Sequence, residues 1–403
     1  MDRCAGIDWA KDVHRVCVLD GDGDPIVERG IAHDERGVGG LCELLAELGV
    51  ERVAIERPDG LLVERLLEAG FAVLPIHPNR LKAARPRFRA AGGKSDSFDA
   101  FCLAELARTD HHRFRVLAPD SDETKALRAL TRTREDLVRI RVSLTNCLHA
   151  ELEAFWPGAD RVFCKIASPI ALAFLERYPS PTDARGLGEK RLAGFLARHG
   201  YCGGKPAAEL LARLRSAPEG RVDRAEEEAR RTAVLSLVAV LKPLVEQIRT
   251  LDSRISDAVR AHPDGGIFLS LFRNPDSTLT AAKLLSEIGD RRERYPTAEA
   301  LAADAGMCPV AKESGKRKVA TFRRACDKRL RDTLATLADS SRQHNPWAKD
   351  VYLRARQRGC DHPHAIRILG RAWVRVIWRM WRDGAPYDPH KHGGLQRLNL
   401  SGG

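Results

Sequence analysis

A chain of 403 residues with 43% hydrophobic content has material for two or three domains with buried cores, and 67 lysines and arginines against 55 acids leave a formal net charge of +12. That excess points to a polyanion, nucleic acid before membrane, since no apolar run approaches the ~20 residues of a membrane-spanning helix. Met1-Asp2-Arg3 opens no secretory signal, so a cytoplasmic location is expected, and the 10 cysteines, scattered from Cys4 to Cys360 without a CxxC pair, argue against a zinc site or a disulfide framework.

The first element is an apolar strand signal, Cys4 to Leu19, that holds one carboxylate, Asp8, inside it; a buried acid there needs a cation, whereas taken alone Asp8 reads first as the cap of a strand end. Asp20-Gly21-Asp22-Gly23-Asp24 predicts a hairpin turn into Pro25-Ile26-Val27. Leu41, Leu44, Leu45 and Leu48 recur at helical spacing up to Gly49. A strand, Arg52 to Glu56, a helix over about Leu61 to Ala69 and a buried strand, Phe71 to Ile76, complete an α/β alternation. Glu56 ends its strand at the edge where α/β sheets usually hold ligands; an ordinary solvated strand end is the rival reading.

Arg80, Lys82, Arg85, Arg87, Arg89 and Lys94, around Pro86, Gly92 and Gly93, predict a flexible basic loop suited to phosphate contacts. It leads into a helix that opens with Asp96 and Asp99, three apart and on one side. Those two acids are explained equally by a local role, Asp96 as N-cap and Asp99 as its capping partner.

A long helix is predicted over about Ser121 to Phe155, with Leu127, Leu130, Leu137, Ile140, Leu144, Leu148 and Leu152 as a coiled-coil-like seam. Arg128, Arg132 and Arg139 lie on its other faces, either solvated or against nucleic acid. After smaller helical pieces a second long helix, about Asp223 to Ala261, contains Pro243. The two predict a dimerisation arm or an antiparallel pair within one chain. In the last third Ser314-Gly315 sits between Lys312 and the cluster Lys316, Arg317 and Lys318, and a C-terminal helix carries an arginine stripe of Arg367, Arg371, Arg375 and Arg379. The boundaries that follow are 1–115, 116–265, 266–385 and a tail, 386–403, rich in Gly, Pro and His and expected to be disordered.

Asp8, Glu56, Asp96 and Asp99 lie on separate elements of one α/β domain, and four acids in one pocket would hold divalent metal, Mg²⁺ or Mn²⁺, of the kind that serves phosphodiester chemistry. With GIDWAKD at Gly6, AIERPDG at Ala54, KSDSFDA at Lys94 and AGMCPVAKESG at Ala305, the chain resembles, over nearly its whole length, the DEDD transposases of the insertion sequence 110 family, which include pilin-gene invertases and RNA-guided recombinases.

That resemblance implies a RuvC-like fold of ribonuclease H type at the N-terminus, a helical arm and a mainly α C-terminal transposase domain. It implies metal binding by Asp8, Glu56, Asp96 and Asp99, and Ser314 as a nucleophile that forms a covalent phosphoserine with DNA. It further implies a noncoding bridge RNA pairing with donor and target DNA, and dimers or tetramers with composite active sites. The chain departs from the family pattern after Glu56, where Arg57-Pro58-Asp59-Gly60 stands, and before Ser314, where Glu313 replaces a second serine. Read without the resemblance, Ser314 is a turn residue with no base spaced beside it. The competing functions are a RuvC-like nuclease or Holliday-junction resolvase, which needs the acids and no serine, and a nucleic-acid scaffold, which needs only the basic surfaces.

Overall fold

The computed structural model describes residues 3–89, 94–218, 220, 222–274, 276–314 and 317–396. It divides the chain into two compact units, Met1–Asp120 and Ser121–Gly403.

In the first unit, β1 (Arg3–Asp8), β2 (Val13–Leu19) and β3 (Pro25–Ala32) form an antiparallel meander. Its β2–β3 turn is fixed by Asp20, whose Oδ1 accepts from the backbone N–H groups of Asp22, Gly23 and Asp24 at 3.0, 2.9 and 2.9 Å. Two crossovers follow, α1 (Glu35–Glu47) to β4 (Val50–Ile55) and α2 (Leu61–Glu68) to β5 (Ala72–Pro75), and both strands run parallel to β1. The sheet order is β3-β2-β1-β4-β5. Strand alternation sorts the core: Ala5, Ile7, Val53, Ile55 and Val73 meet the leucines of α1 and α2 on one face. Cys4, Ala54 and Leu74 meet α3 (Pro78–Phe88) and α4 (Asp96–Thr109) on the other.

The α4 face depends on Gly6. A Cβ built there would lie 2.0 Å from the Ala100 carbonyl oxygen and 2.3 Å from the Ala104 nitrogen. The helix backbone therefore rests directly on β1, with alanines at the contact, and its first turn is carried to the end of that strand.

The second unit is helical apart from one hairpin. Helix α5 (Asp122–Phe155) runs out to a lobe of α6 (Pro157–Val162), α7 (Pro169–Arg177), α8 (Glu189–Arg198) and α9 (Ala207–Arg215), and α10 (Arg224–Ala261) returns. Cross-links show the pair to be antiparallel within one chain: Arg230 to Glu151 at 3.0 Å, Arg134 to Asp252 at 2.6 Å, and Thr124 Oγ1 to His262 Nε2 at 2.8 Å. Its apolar seam is not continuous. Leu148 and Leu152 belong to the core of the far lobe and Leu127 to that of the near lobe, whereas Ile140, read as a seam residue, is half exposed between them.

The near lobe is built from α11 (Gly265–Leu269), α12 (Thr278–Ile288), α13 (Ala298–Asp304), the hairpin β6 (Val310–Ser314) and β7 (Arg317–Thr321), α14 (Lys328–His344), α15 (Pro346–Gln357) and α16 (His362–Asp383). Composition predicts disorder from residue 386, yet the chain to residue 396 packs on this lobe. Tyr387 N–H donates to Ser270 Oγ at 2.7 Å, and the His392 ring lies 4.3 Å from that of Trp347. Aromatic contacts supply the burial that composition does not reveal. No helix among the described residues is long and apolar enough to cross a membrane.

Gly6→Val tests the close approach of α4 to β1. It should destabilise the protein by about 3 kcal/mol, because backbone rather than a movable side chain must yield. A urea midpoint unchanged from wild type would show that the sheet and α4 do not meet as described.

Candidate functional site

Asp8 is the last residue of β1, and Glu56 directly follows β4. The two strands pair in parallel up to Ile7 opposite Ile55, so the acids come next, side by side, on the face of Gly6 and Ala54 that α4 covers. Asp96 and Asp99 arrive on the first turn of α4. The capping explanation for them fails, because Ser95 is the N-cap and its hydroxyl accepts from Phe98 N–H at 3.2 Å. Neither aspartate is used to close the helix, although both gain from its dipole.

The electrostatics of Asp8 register this convergence. Its carboxyl is pushed up from 3.8 to about 6, first by burial and then by the charges of Asp99, Asp96 and Glu56, with Lys94 opposing. Acids from two strands and a helix thus act on one group.

Asp99 is 2% exposed and is met by Arg85 of α3, whose Nε and Nη2 donate to its two oxygens at 2.6 and 2.8 Å. That hydrogen bonding raises the Arg85 guanidinium further above its ordinary value. Four carboxylates offer the hard oxygen donors that Mg²⁺ or Mn²⁺ takes. In the arrangement seen, however, both Asp99 oxygens are turned to Arg85, and among the described residues no group of three or more His, Cys, Asp or Glu stands as a ready ligand set. The donor chemistry fits a divalent ion, and the guanidinium serves as the local cation.

The basic surfaces are rearranged relative to expectation. The predicted flexible loop is helix α3 through Phe88, and Ala90 to Gly93 lie outside the described residues. Arg85 belongs to the acid cluster rather than to a free phosphate-binding surface. Arg87 pairs with Asp110 at 2.7 Å, Arg89 lies 4.6 Å from the Phe98 ring centroid, and Lys94 is exposed. On α5, Arg128 Nε donates to the Ser286 carbonyl at 2.7 Å, Arg132 grips Glu287 at 3.0 and 2.7 Å, and Arg139 pairs with Asp136. These contacts join α5 to α12 at Arg128 and Arg132, so both arginines hold the lobe together. On α16, Arg375 is exposed, Arg371 is partly buried and Arg379 is paired with Asp383 at 2.6 Å.

Ser314 ends β6, its backbone paired with Arg317. Gly315 and Lys316 lie outside the described residues, as do the side chains of Lys312, Ser314, Arg317 and Lys318.

Sequence reasoning missed the surroundings of the strand ends. Arg57, next to Glu56, lies 4.2 Å from the ring centroid of Trp9, next to Asp8, so a cation–π contact spans the two acid-bearing ends. Behind Trp9 the buried His14 accepts from Ala10 N–H at 3.2 Å through Nδ1 and shares a 2.8 Å hydrogen bond with His33. The signal was available in residues immediately following each acid, but nothing in their spacing pairs Trp9 with Arg57.

A transposase family model of the DEDD type found in IS110 matches residues 5–157, and a model described as transposase of the IS116/IS110/IS902 family matches residues 277–353. The chain is 32% identical over 377 residues to a Streptomyces coelicolor protein named as the mini-circle transposase for IS117, with 90% of each chain covered. The chain belongs to the IS110 family of transposases. The chain is also similar to a 42 kDa protein of insertion element IS900 from Mycobacterium paratuberculosis, 29% identical over 96% of this chain and 97% of that one. A 44.8 kDa protein of IS116 from Streptomyces clavuligerus is 29% identical over 95% of this chain and 96% of its own. As an IS110-family transposase the protein is a DNA-rearranging enzyme, and its DEDD class suggests a divalent-metal requirement.

The crowding of Asp8 gives a prediction with a defined sign. Its folded-state value near 6 lies above the ordinary 3.8, so folding holds the proton. The cost of the charged carboxylate, from burial first and repulsion second, is absent below pH about 4 and fully present above pH about 6. With chelator present, Asp8→Asn should raise the urea stability at pH 7.5 by on the order of 1 kcal/mol, after discounting for the half-exposed position, and by nothing at pH 4. Equal effects at both pH values would mean that Asp8 is neither desolvated nor crowded by the other carboxylates.

Proposed function

We propose that this transposase cuts and rejoins insertion-sequence DNA with a metal-dependent DEDD site and a serine nucleophile, guided by a noncoding bridge RNA. The observation that carries this reading is the electrostatic convergence of Glu56, Asp96 and Asp99 on Asp8 at one sheet edge. The strand order, an antiparallel meander followed by two strands parallel to β1, supports a RuvC-like domain of ribonuclease H type.

Asp8, Glu56, Asp96 and Asp99 would hold Mg²⁺ or Mn²⁺. A divalent ion bound there supplies charge neutralisation at the phosphate and a lowered pKa for an oxygen nucleophile. The chain's own groups have separate tasks. Arg85 balances the cluster at Asp99 and orients that buried carboxylate through a bidentate pair, which lessens the repulsion among the acids. Ser314 Oγ forms the new bond to phosphorus while a sugar oxygen leaves, conserving the phosphodiester energy in a phosphoserine, as hydrolysis would not. Lys312, Lys316, Arg317 and Lys318, close to Ser314 in sequence, supply positive charge for the developing anion. Ser314 and Asp8 belong to different units, and association of subunits that complete each other's sites, in a dimer or tetramer, is the proposed way in which serine and acids meet.

The decisive experiment traps the covalent intermediate. Ser314→Ala should retain DNA and RNA binding and lose strand transfer, Asp8→Asn should lose cleavage, and mass spectrometry of the wild-type reaction should place DNA on Ser314. An adduct elsewhere, full recombination by the alanine variant, or free ends without an adduct would replace this reading with nuclease chemistry. RNA copurifying with the protein should pair with both element ends and target. For the arginine stripe of α16, changing Arg371, Arg375 and Arg379 to glutamine should flatten the salt dependence of DNA binding, and an unchanged slope would remove them from the interface.

A further inference from the structure

Ser314 stands near the middle of a segment that leaves the near lobe at Asp304 and returns at Asp327. The two ends are tied together, Asp327 N–H donating to the Asp304 carbonyl at 2.7 Å. Gly306, at φ +62°, faces the returning strand so closely that a Cβ would lie 2.7 Å from Cys326 Sγ. Within this closure β6 and β7 pair from Val310 opposite Thr321 to Ser314 opposite Arg317, and Thr321 Oγ1 donates to the Val310 carbonyl at 3.2 Å. Position at the base is therefore transmitted along a ladder to the serine.

Both limbs of the base rest on α16. Met307, buried, occupies the space over Gly370, where a Cβ would come within 2.8 Å of its sulfur. Phe322, the first residue after β7, lies beside two guanidinium groups, that of Arg367 on α16 at 5.0 Å and that of Arg331 on α14 at 5.3 Å from its ring centroid. Arg367 and Gly370 are three residues apart and so share a face of α16. Arg331 is itself steadied by Cys326 Sγ and by Asp332, each at 3.5 Å. Phe322 is 44% exposed, so it contributes little as core, and its described ring contacts are with these two cations.

We propose that Phe322, held by Arg331 and Arg367, is a positioning residue that sets the direction in which the hairpin presents Ser314. The inference rests on Ser314 being the nucleophile. A strand rises about 3.3 Å per residue, so the five steps from Phe322 back to Arg317 span roughly 16 Å, and a tilt of about 4° at Phe322 displaces the tip by about 1 Å. A displacement of that size costs on the order of a hundredfold in an in-line attack. Contacts too weak to matter for global stability are thus sufficient to control the reaction.

The test measures single-turnover formation of the protein–DNA adduct by the full-length protein with its copurified RNA, across a DNA concentration series, beside thermal unfolding. Phe322→Ala should lower the limiting rate at least tenfold while the half-saturating DNA concentration and the unfolding temperature stay at wild-type values. Phe322→Tyr, which keeps the ring, should restore the rate, and Arg331→Gln with Arg367→Gln should reproduce the loss. A wild-type rate in Phe322→Ala beside an inactive Ser314→Ala overturns this inference alone. A rate loss accompanied by lost stability or weakened DNA binding and not rescued by tyrosine also overturns it, as a merely structural effect. Activity in Ser314→Ala overturns the serine assignment and the positioning role with it.

Discussion

The contact on which the first unit depends is the approach of α4 to β1 at Gly6, where helix backbone takes the place of a side chain. Sheet pairing alone brings Asp8 and Glu56 together, since parallel neighbours in register must end side by side. It cannot deliver Asp96 and Asp99, which lie some forty residues further along the chain. Only a helix lying close on β1 does so, and the small residues Gly6, Ala100 and Ala104 make that closeness possible. One steric allowance thus converts four acids scattered in sequence into one electrostatic cluster.

Such a cluster is unfavourable as it stands. The protein lessens the repulsion in two ways, by leaving Asp8 half exposed and easily protonated and by placing Arg85 on both oxygens of the buried Asp99. With the proposed metal bound, the arginine would make the site a balance between an internal cation and an external one. It also means that entry of a divalent ion at Asp99 competes with a bidentate ion pair. The Arg57–Trp9 contact adds a second tie across the same strand ends.

The strands after the first, the crossovers and the order of the acids in the first unit were legible because period-2 and helical patterns with glycine stops report local structure directly, and Glu56 at a strand end was placed by that logic alone; the break that divides Cys4–Leu19 into β1 and β2 and the hairpin of β6 and β7 were not. The long helices were legible for the same reason. What escaped is tertiary. Arg85 reads as one more cation in a basic run, and only the packing of α3 on α4 gives it to Asp99. Arg128 and Arg132 read as a solvated or nucleic-acid face, and only α12 shows that they close a lobe. Ser95 rather than Asp96 caps α4, a one-residue difference that releases both aspartates from capping, although Asp99 is then taken up by Arg85. Ile140 fits the heptad spacing but sits where the antiparallel pair has no core to join.

The central claim is that Asp8, Glu56, Asp96 and Asp99 form one divalent-metal centre, and anomalous diffraction from crystals of the full-length protein soaked in Mn²⁺ tests it most directly. A manganese peak is expected within coordination distance of Asp8 and Glu56, shared with at least one of the α4 aspartates. Manganese bound only elsewhere, with the Asp99–Arg85 pair intact and Asp8 unligated, would contradict it.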